Sequence, residues 1–240
     1  MTEPTLPFRR FSDLDRAAIN VDLQVHTTQT DGRASITEIL DAAQRRGLSI
    51  IAFTEHVRRD TAWFADFART VRQEAKAYPD LRVLVGCEAK ALDTNGALDA
   101  PEAVLAECDL VLGSVHRFPD GKGGLLNFAD LSAAECAETE CALALGLLRH
   151  APVHVLAHPG GMTLRRHGAY PVELFRQMLI ASLERNIAVE INSSYLRDVP
   201  AFLKLCAEIN PYVSIGSDVH GLEELGRCRD LLLEIMEVGR

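Results

Sequence analysis

Five of the eight histidines in this chain, His26, His56, His116, His158 and His220, fall at or just past the end of a short apolar run. Carboxylates share that placement. Glu88 and Asp218 close two such runs, and Asp31 follows His26 in a turn beside Gly32. Imidazole with carboxylate is the donor set that zinc, manganese and iron accept, and a carboxylate such as Glu88 can bridge two ions. Ions held close together clamp a phosphate ester, activate water and stabilise the leaving oxygen. A single histidine after a strand is usually an ordinary core or loop residue. Eight candidate ligands on six of seven strand ends point instead to a metal site. His150 and His154 lack the placement: the first falls near a helix C-terminus, where a cation favours the dipole, and the second lies inside a strand.

Weaker signals surround these residues. Arg58 follows His56 by two, Lys90 follows Glu88 by two, and Arg117 follows His116 directly. A guanidinium suits the bidentate geometry of a phosphate, so these are candidate substrate contacts. Arg165 and His167 lie in a loop expected to lean over the mouth, and Asn192, which closes the sixth apolar run, is placed to hydrogen-bond substrate or to hold a neighbouring ligand. The Gly-rich loop at 121–124 lacks the frame of a phosphate-binding P-loop and reads as a turn or lid.

The elements that must deliver these groups follow from periodicity. Apolar runs at 21–25, 48–53, 82–87, 109–115, 153–157, 187–191 and 212–216 read as strands. Between and after them, helical spacing is predicted over 36–46, 61–77, 132–149, 172–185, 200–209 and 222–237. Ser35 with Glu38 has capping-box spacing at the first helix, and Gly47 ends it. Short hairpin turns are absent, so each return needs a crossover and the strands pair in parallel. Strands this apolar are buried on both faces, which predicts a seven-stranded TIM-like (β/α)7 barrel with its site at the strand C-termini.

Length and composition agree. A chain of 240 residues fits one barrel domain over 1–240, with residues 1–20 as a lead-in. A formal charge of -9 argues against a nucleic-acid surface, although a local basic cluster can still hold one small phosphate. The six cysteines form no CxxC pair and read as reduced thiols of a cytoplasmic protein. No signal peptide is visible, and no apolar run approaches the roughly 18 residues that span a membrane.

At these residues the chain resembles the polymerase-and-histidinol-phosphatase (PHP) family of metal-dependent phosphoesterases. The opening motif is matched by Gln24-Val25-His26 with Thr30-Asp31-Gly32. The next are Thr54-Glu55-His56, Glu88, Ser114-Val115-His116 and Ala157-His158-Pro159, and the closing motif is Ser217-Asp218-Val219-His220. The resemblance covers about 20–237. It implies a distorted seven-stranded barrel holding two or three divalent ions (zinc, manganese or iron), which hydrolyses a small phosphorylated metabolite with a metal-activated hydroxide. By carry-over, one ion would use Gln24, His26, Glu88 and Asp218, a second Asp31, His56 and His220, and a third His116 and His158 with Glu88 bridging. Two departures stand out. Gln24 replaces a histidine of the family pattern, and an amide oxygen is a poorer zinc ligand than imidazole. Glu55 replaces the aspartate usually found beside His56. The main expectation is a histidinol-phosphatase-like phosphomonoesterase. The alternative is a metal-binding barrel with reduced turnover, serving as a binding or regulatory module.

Overall fold

The structure, a computed structural model, describes residues 6–238; the first five residues of the lead-in and the last two of the chain lie outside the described residues. Eight strands form one sheet: β1 (Arg9–Arg10), β2 (Val21–Val25), β3 (Ile50–His56), β4 (Arg82–Lys90), β5 (Leu110–Ser114), β6 (Val155–Leu156), β7 (Ala188–Asn192) and β8 (Tyr212–Gly216). Their order is β1-β8-β7-β6-β5-β4-β3-β2. The seven apolar runs supply β2 to β8, all paired in parallel, and the lead-in adds β1 antiparallel to β8. Among the described residues eight α-helices complete the fold: α1 (Ile36–Arg45), α2 (Phe64–Glu74), α3 (Glu102–Glu107), α4 (Ala133–His150), α5 (Gly161–His167), α6 (Val172–Glu184), α7 (Val199–Ile209) and α8 (Arg227–Val238).

The sheet curls like a TIM-like barrel, but its ladder does not close. Arg9 and Arg10 pair with Val213 and Tyr212, so the lead-in takes the edge of β8 that β2 would need. On that side β2 bridges to the chain just past the end of β8, between Val25 and Val219. There the His26 N–H donates to Val219 O at 2.9 Å, and the Val219 N–H donates to Gln24 O at 3.0 Å. Below that bridge Asp22 spans the seam, accepting from the Ser217 N–H at 3.0 Å and the Gly226 N–H at 2.7 Å.

Helix signals behave as their chemistry requires. Ser35 and Glu38 form a complete capping box on α1. Helix α5 occupies a stretch read as loop: it is only seven residues long and bounded by Gly160 and Gly168, both in the left-handed region. The short α3 was likewise unread. The last helix begins at Arg227 rather than 222, because Gly226 sits at φ 73° with its N–H committed to Asp22. On the outer layer, Phe53 of β3 packs edge-on against Phe67 of α2 with centroids 6.4 Å apart. Truncating a fully buried phenylalanine of this kind costs roughly 3–5 kcal/mol. Among the described residues no helix is long and apolar enough to cross a membrane.

Candidate metal centre

The strand ends deliver their histidines to one carboxylate. Glu88 is fully buried near the end of β4. Its Oε1 lies 3.0 Å from His116 Nε2 and 2.9 Å from His158 Nε2, and its Oε2 lies 3.4 Å from His26 Nε2 and 3.2 Å from His56 Nδ1. Each oxygen thus faces two imidazoles. Further out, Asp31 stands between His56 Nε2 and His220 Nε2, 3.4 Å from each. Asp218 Oδ1 is 3.3 Å from His26 Nε2. Three groups place one ligand atom per residue within 4.8 Å of one another: His26, Asp31, His56 and His220; His56, Glu88 and His116; and His26, Glu88 and Asp218. His158 approaches through Glu88 and His116, whose Nε2 is 3.3 Å from its own.

Local structure is bent to achieve this. Of the four non-glycine residues at positive φ among the described residues, Asn186 and Asn210 sit just past the ends of α6 and α7, whereas His158 (φ 29°) and Asp218 (φ 51°) belong to the cluster. Such backbones cost about 1–3 kcal/mol each and persist only where surrounding contacts impose them. For His158 that contact is Glu190 Oε2, which accepts its N–H at 2.7 Å. The Asp31 turn packs Gly32 against the backbone of His26 and Thr27 so closely that any Cβ would clash. Glu55 holds this turn by accepting the Thr27 N–H at 2.8 Å and the Thr30 hydroxyl. Glu224 accepts the N–H groups of His220 at 2.7 Å and Gly221 at 3.0 Å.

The electrostatics describe a site short of positive charge. Burial alone would raise Glu88, but His116, His158 and His26 hold it well below the usual carboxylate range. Burial opposes charge on His158, yet Glu88 lifts it to about 9. His26 is likewise raised well above its ordinary value, with Asp218 and Glu88 outweighing burial. At His56 burial wins, lowering it to about 4. Carboxylates that recruit protons onto neighbouring imidazoles are the groups from which a divalent ion displaces those protons. The buried atoms His26 Nδ1, His26 Nε2 and Glu88 Oε2 have no hydrogen-bond partner, so this donor set fits a bound cation.

The model of the PHP domain matches residues 22–194. The chain belongs to the PHP domain family. A protein named "Probable phosphatase" from Caldicellulosiruptor bescii is 27% identical over 226 residues, covering 88% of this chain and 83% of its own. A DNA polymerase/3'-5' exonuclease from Bacillus subtilis is also 27% identical over 88% of this chain, but the match spans only 36% of that longer protein. Among solved structures, a histidinol phosphate phosphatase from Lactococcus lactis, in complex with zinc, L-histidinol and phosphate, superposes with a TM-score of 0.70. It is 15% identical and covers 90% of this chain and 92% of its own. That likeness confirms the fold.

In this PHP domain Gln24 is fully buried, with its Oε1 accepting from Asn192 Nδ2 at 2.9 Å while its own Nε2 has no partner. Asn192 also donates to Glu190 Oε2 at 3.0 Å, and its Oδ1 accepts the Ser194 N–H. It therefore supports the interior instead of reaching the mouth. Gly216 makes room for this layer, since a Cβ there would meet Glu190 and Gln24.

Above the cluster opens a cavity of about 710 Å³, lined by Asp31, His56, His116, Asp218 and His220 on its floor and by Arg165, Tyr195 and Arg227 on its wall. Arg165 lies over the Tyr195 ring at 5.0 Å, and that ring stacks on His158 at 4.5 Å. Arg227 is braced by Ser193 and Ser194. Neither Tyr195 nor Arg227 was read from sequence. Tyr195 follows a strand end, a usable signal, whereas Arg227 arrives through turns that carry none. His167 ends α5 and does not line this cavity, nor does the exposed Arg58. Lys90 and Arg117 line a separate cavity.

Proposed function

We propose that this chain hydrolyses a small phosphate monoester at the centre built on Glu88, in the manner of a histidinol phosphatase. It is a hydrolase of phosphate esters, and the observation that carries the finer reading is the four-imidazole environment of Glu88. His26, Asp31, His56, Glu88, His116, His158, Asp218 and His220 are the residues we assign to two or three divalent ions. Zinc, manganese or iron bound there would supply Lewis-acid charge and activate the attacking water. The chain's own contribution is orientation. Arg165 and Arg227 face the cavity from one wall and suit the equatorial oxygens of the ester. Tyr195, packed between Arg165 and His158, fixes that wall against the cluster. Glu88 and His26 are themselves out of bulk water beneath the floor. The thiols, none paired among the described residues, fit a cytoplasmic setting.

Elemental analysis of protein purified without chelator, followed by phosphate-release assays on the loaded enzyme, tests the reading. Two or three ions per chain with turnover of small monoesters are expected. One ion or none, after supplementation with manganese and zinc, would sink it.

Gln24 favours the second reading, a PHP barrel kept as a binding or regulatory module, because its amide oxygen is already held by Asn192. The substitution Gln24→His separates the two. Under the enzyme reading it changes turnover by less than about tenfold. A gain well beyond that, together with an added ion, would mark the native chain as a module that gave up catalysis.

A further inference from the structure

Beside the metal cavity lies another, of about 610 Å³, lined in part by Arg59, Lys90, Asp93, Asp99, Arg117 and Leu125. Its position is set by the strand that carries Glu88. Side chains two apart on a strand share a face, so Lys90 stands on the face of Glu88, about 7 Å further along β4. His116 and Arg117 make the same connection across the next strand end, as neighbours in sequence that line the two cavities.

The second cavity carries an excess of uncommitted positive charge in a chain whose formal charge is -9. Its two carboxylates are occupied. Asp93 Oδ1 accepts the N–H groups of Asn95 at 2.8 Å and Ala97 at 3.1 Å. Asp99 Oδ1 accepts the Arg59 N–H at 2.9 Å, while its Oδ2 is 3.5 Å from Lys90 Nζ. Lys90 is half-buried, with its side chain 13% exposed, and Arg117 and Arg58 are both close enough to act on it electrostatically. Among the described residues neither the Arg59 nor the Arg117 guanidinium has a carboxylate within ion-pair distance. A rim of solvated cations would not place a lysine in the wall of a cavity with two unpaired guanidinium forks around it. Such forks match carboxylate or phosphate oxygens in pairs.

We propose that this cavity is a second anion subsite, which takes a carboxylate or phosphate at the far end of the substrate while the scissile phosphate rests on the metal cluster. The inference rests on the phosphoesterase reading and narrows it to short monoesters with an anionic tail. A tail bearing an amine, as in histidinol phosphate, meets repulsion there.

The test compares glycerol phosphate, phosphoglycerate and glycerol bisphosphate as substrates of the metal-loaded enzyme, beside histidinol phosphate. The expected result is a kcat/KM for phosphoglycerate or the bisphosphate about tenfold or more above that for glycerol phosphate. Whichever of the two gains more identifies the tail. The double variant Arg59→Gln, Arg117→Gln changes two exposed side chains and should fold; it is expected to lose most of that preference. Equal kcat/KM for all esters, a preference that survives in the variant, or a better rate with histidinol phosphate overturns the subsite. If no ester is hydrolysed, the phosphoesterase reading fails separately. Calorimetric titration of the same esters then decides the subsite: an affinity ratio that collapses in the variant keeps it, and equal affinities remove it.

Discussion

The cluster has two halves built on different principles. The inner half, His26, Glu88, His158 and Asp218, has side chains no more than 8% exposed. The outer half, Asp31, His56, His116 and His220, is 22–54% exposed. Inner residues are part of the folded interior, and their backbones are held by further buried groups: Glu190 on His158, and Asp22 on Ser217 beside Asp218. Outer residues stand on strand ends and turns, steadied from one side by Glu55 and Glu224. Folding therefore fixes the first half, whereas bound ions must order much of the second. The same substitution chemistry should have different consequences in the two.

The strongest way to break that comparison is to set Glu88→Gln beside Asp31→Asn. An amide at position 88 cannot accept from imidazoles on both atoms and places a buried NH2 against two of them. We expect Glu88→Gln to cost at least ~100-fold in phosphate release, to lower the ion count by more than one, and to destabilise the chelated protein by about 1–3 kcal/mol. Asp31→Asn should lower activity roughly 10–100-fold, with the thermal midpoint of the chelated protein almost unmoved, because surface changes usually stay within about 0.5 kcal/mol. Equal destabilisation by the two would show that the outer half is as much a part of the folded core as the inner.

Glu55 sharpens the comparison at the junction. Its carboxylate is buried, yet what it holds is the exposed Asp31 turn. Glu55→Asp withdraws one methylene from a two-point grip. We expect metal affinity to fall about 10-fold, within the range for groups that orient a ligand, while Asp31's partners His56 and His220 remain in place. Full recovery of turnover at raised metal concentration identifies a positioning effect. A rate that stays low at saturating metal would mean that Glu55 acts on the reaction in another way.

What the sequence disclosed follows the same division. Strands were legible because each is a short apolar run, continuous or broken by single polar residues as at Asp22 and Gln24, and the ligands because each run ends at a residue that would not otherwise end one. Lead-in residues Arg9 and Arg10 look like solvated charge, and only the meeting with Tyr212 and Val213 makes them a strand. Helix α5 is a single short element between two glycines, so local signals favoured a loop. Asn192 was read from its strand end as contacting substrate or holding a neighbouring ligand, and its side chain bonds inward to Gln24. Of its actual partners, Glu190 lies two residues back on the same strand, whereas Gln24 comes from across the interior, and no spacing rule connects residues 168 positions apart. Arg227 was hidden for a similar reason: the turn preceding it is set by the bond from Gly226 to Asp22.

A further effect lies beneath the inner half, at Glu190. Burial pushes its carboxyl from an ordinary 4.5 up to about 8. Below pH 4.5 the folded and unfolded chains both carry this proton. Between 4.5 and 8 the folded chain keeps it and the unfolded chain does not, so stability falls as pH rises, by about 1.4 kcal/mol per unit for a fully realised difference. Above 8 both are ionised and the full cost remains. Glutamine resembles the protonated acid: its oxygen can still accept from the His158 N–H and Asn192, and its NH2 takes the place of Oε1, which has no partner now. Glu190→Gln should therefore match the native protein in stability near pH 5 and exceed it progressively toward pH 8, when both are unfolded in urea with chelator present. Part of the difference belongs to His158, whose charge couples to Glu190. Parallel stability curves for the two would mean that Glu190 is already ionised in the fold, and the inner half would then rest on a buried charge, not on a neutral acid.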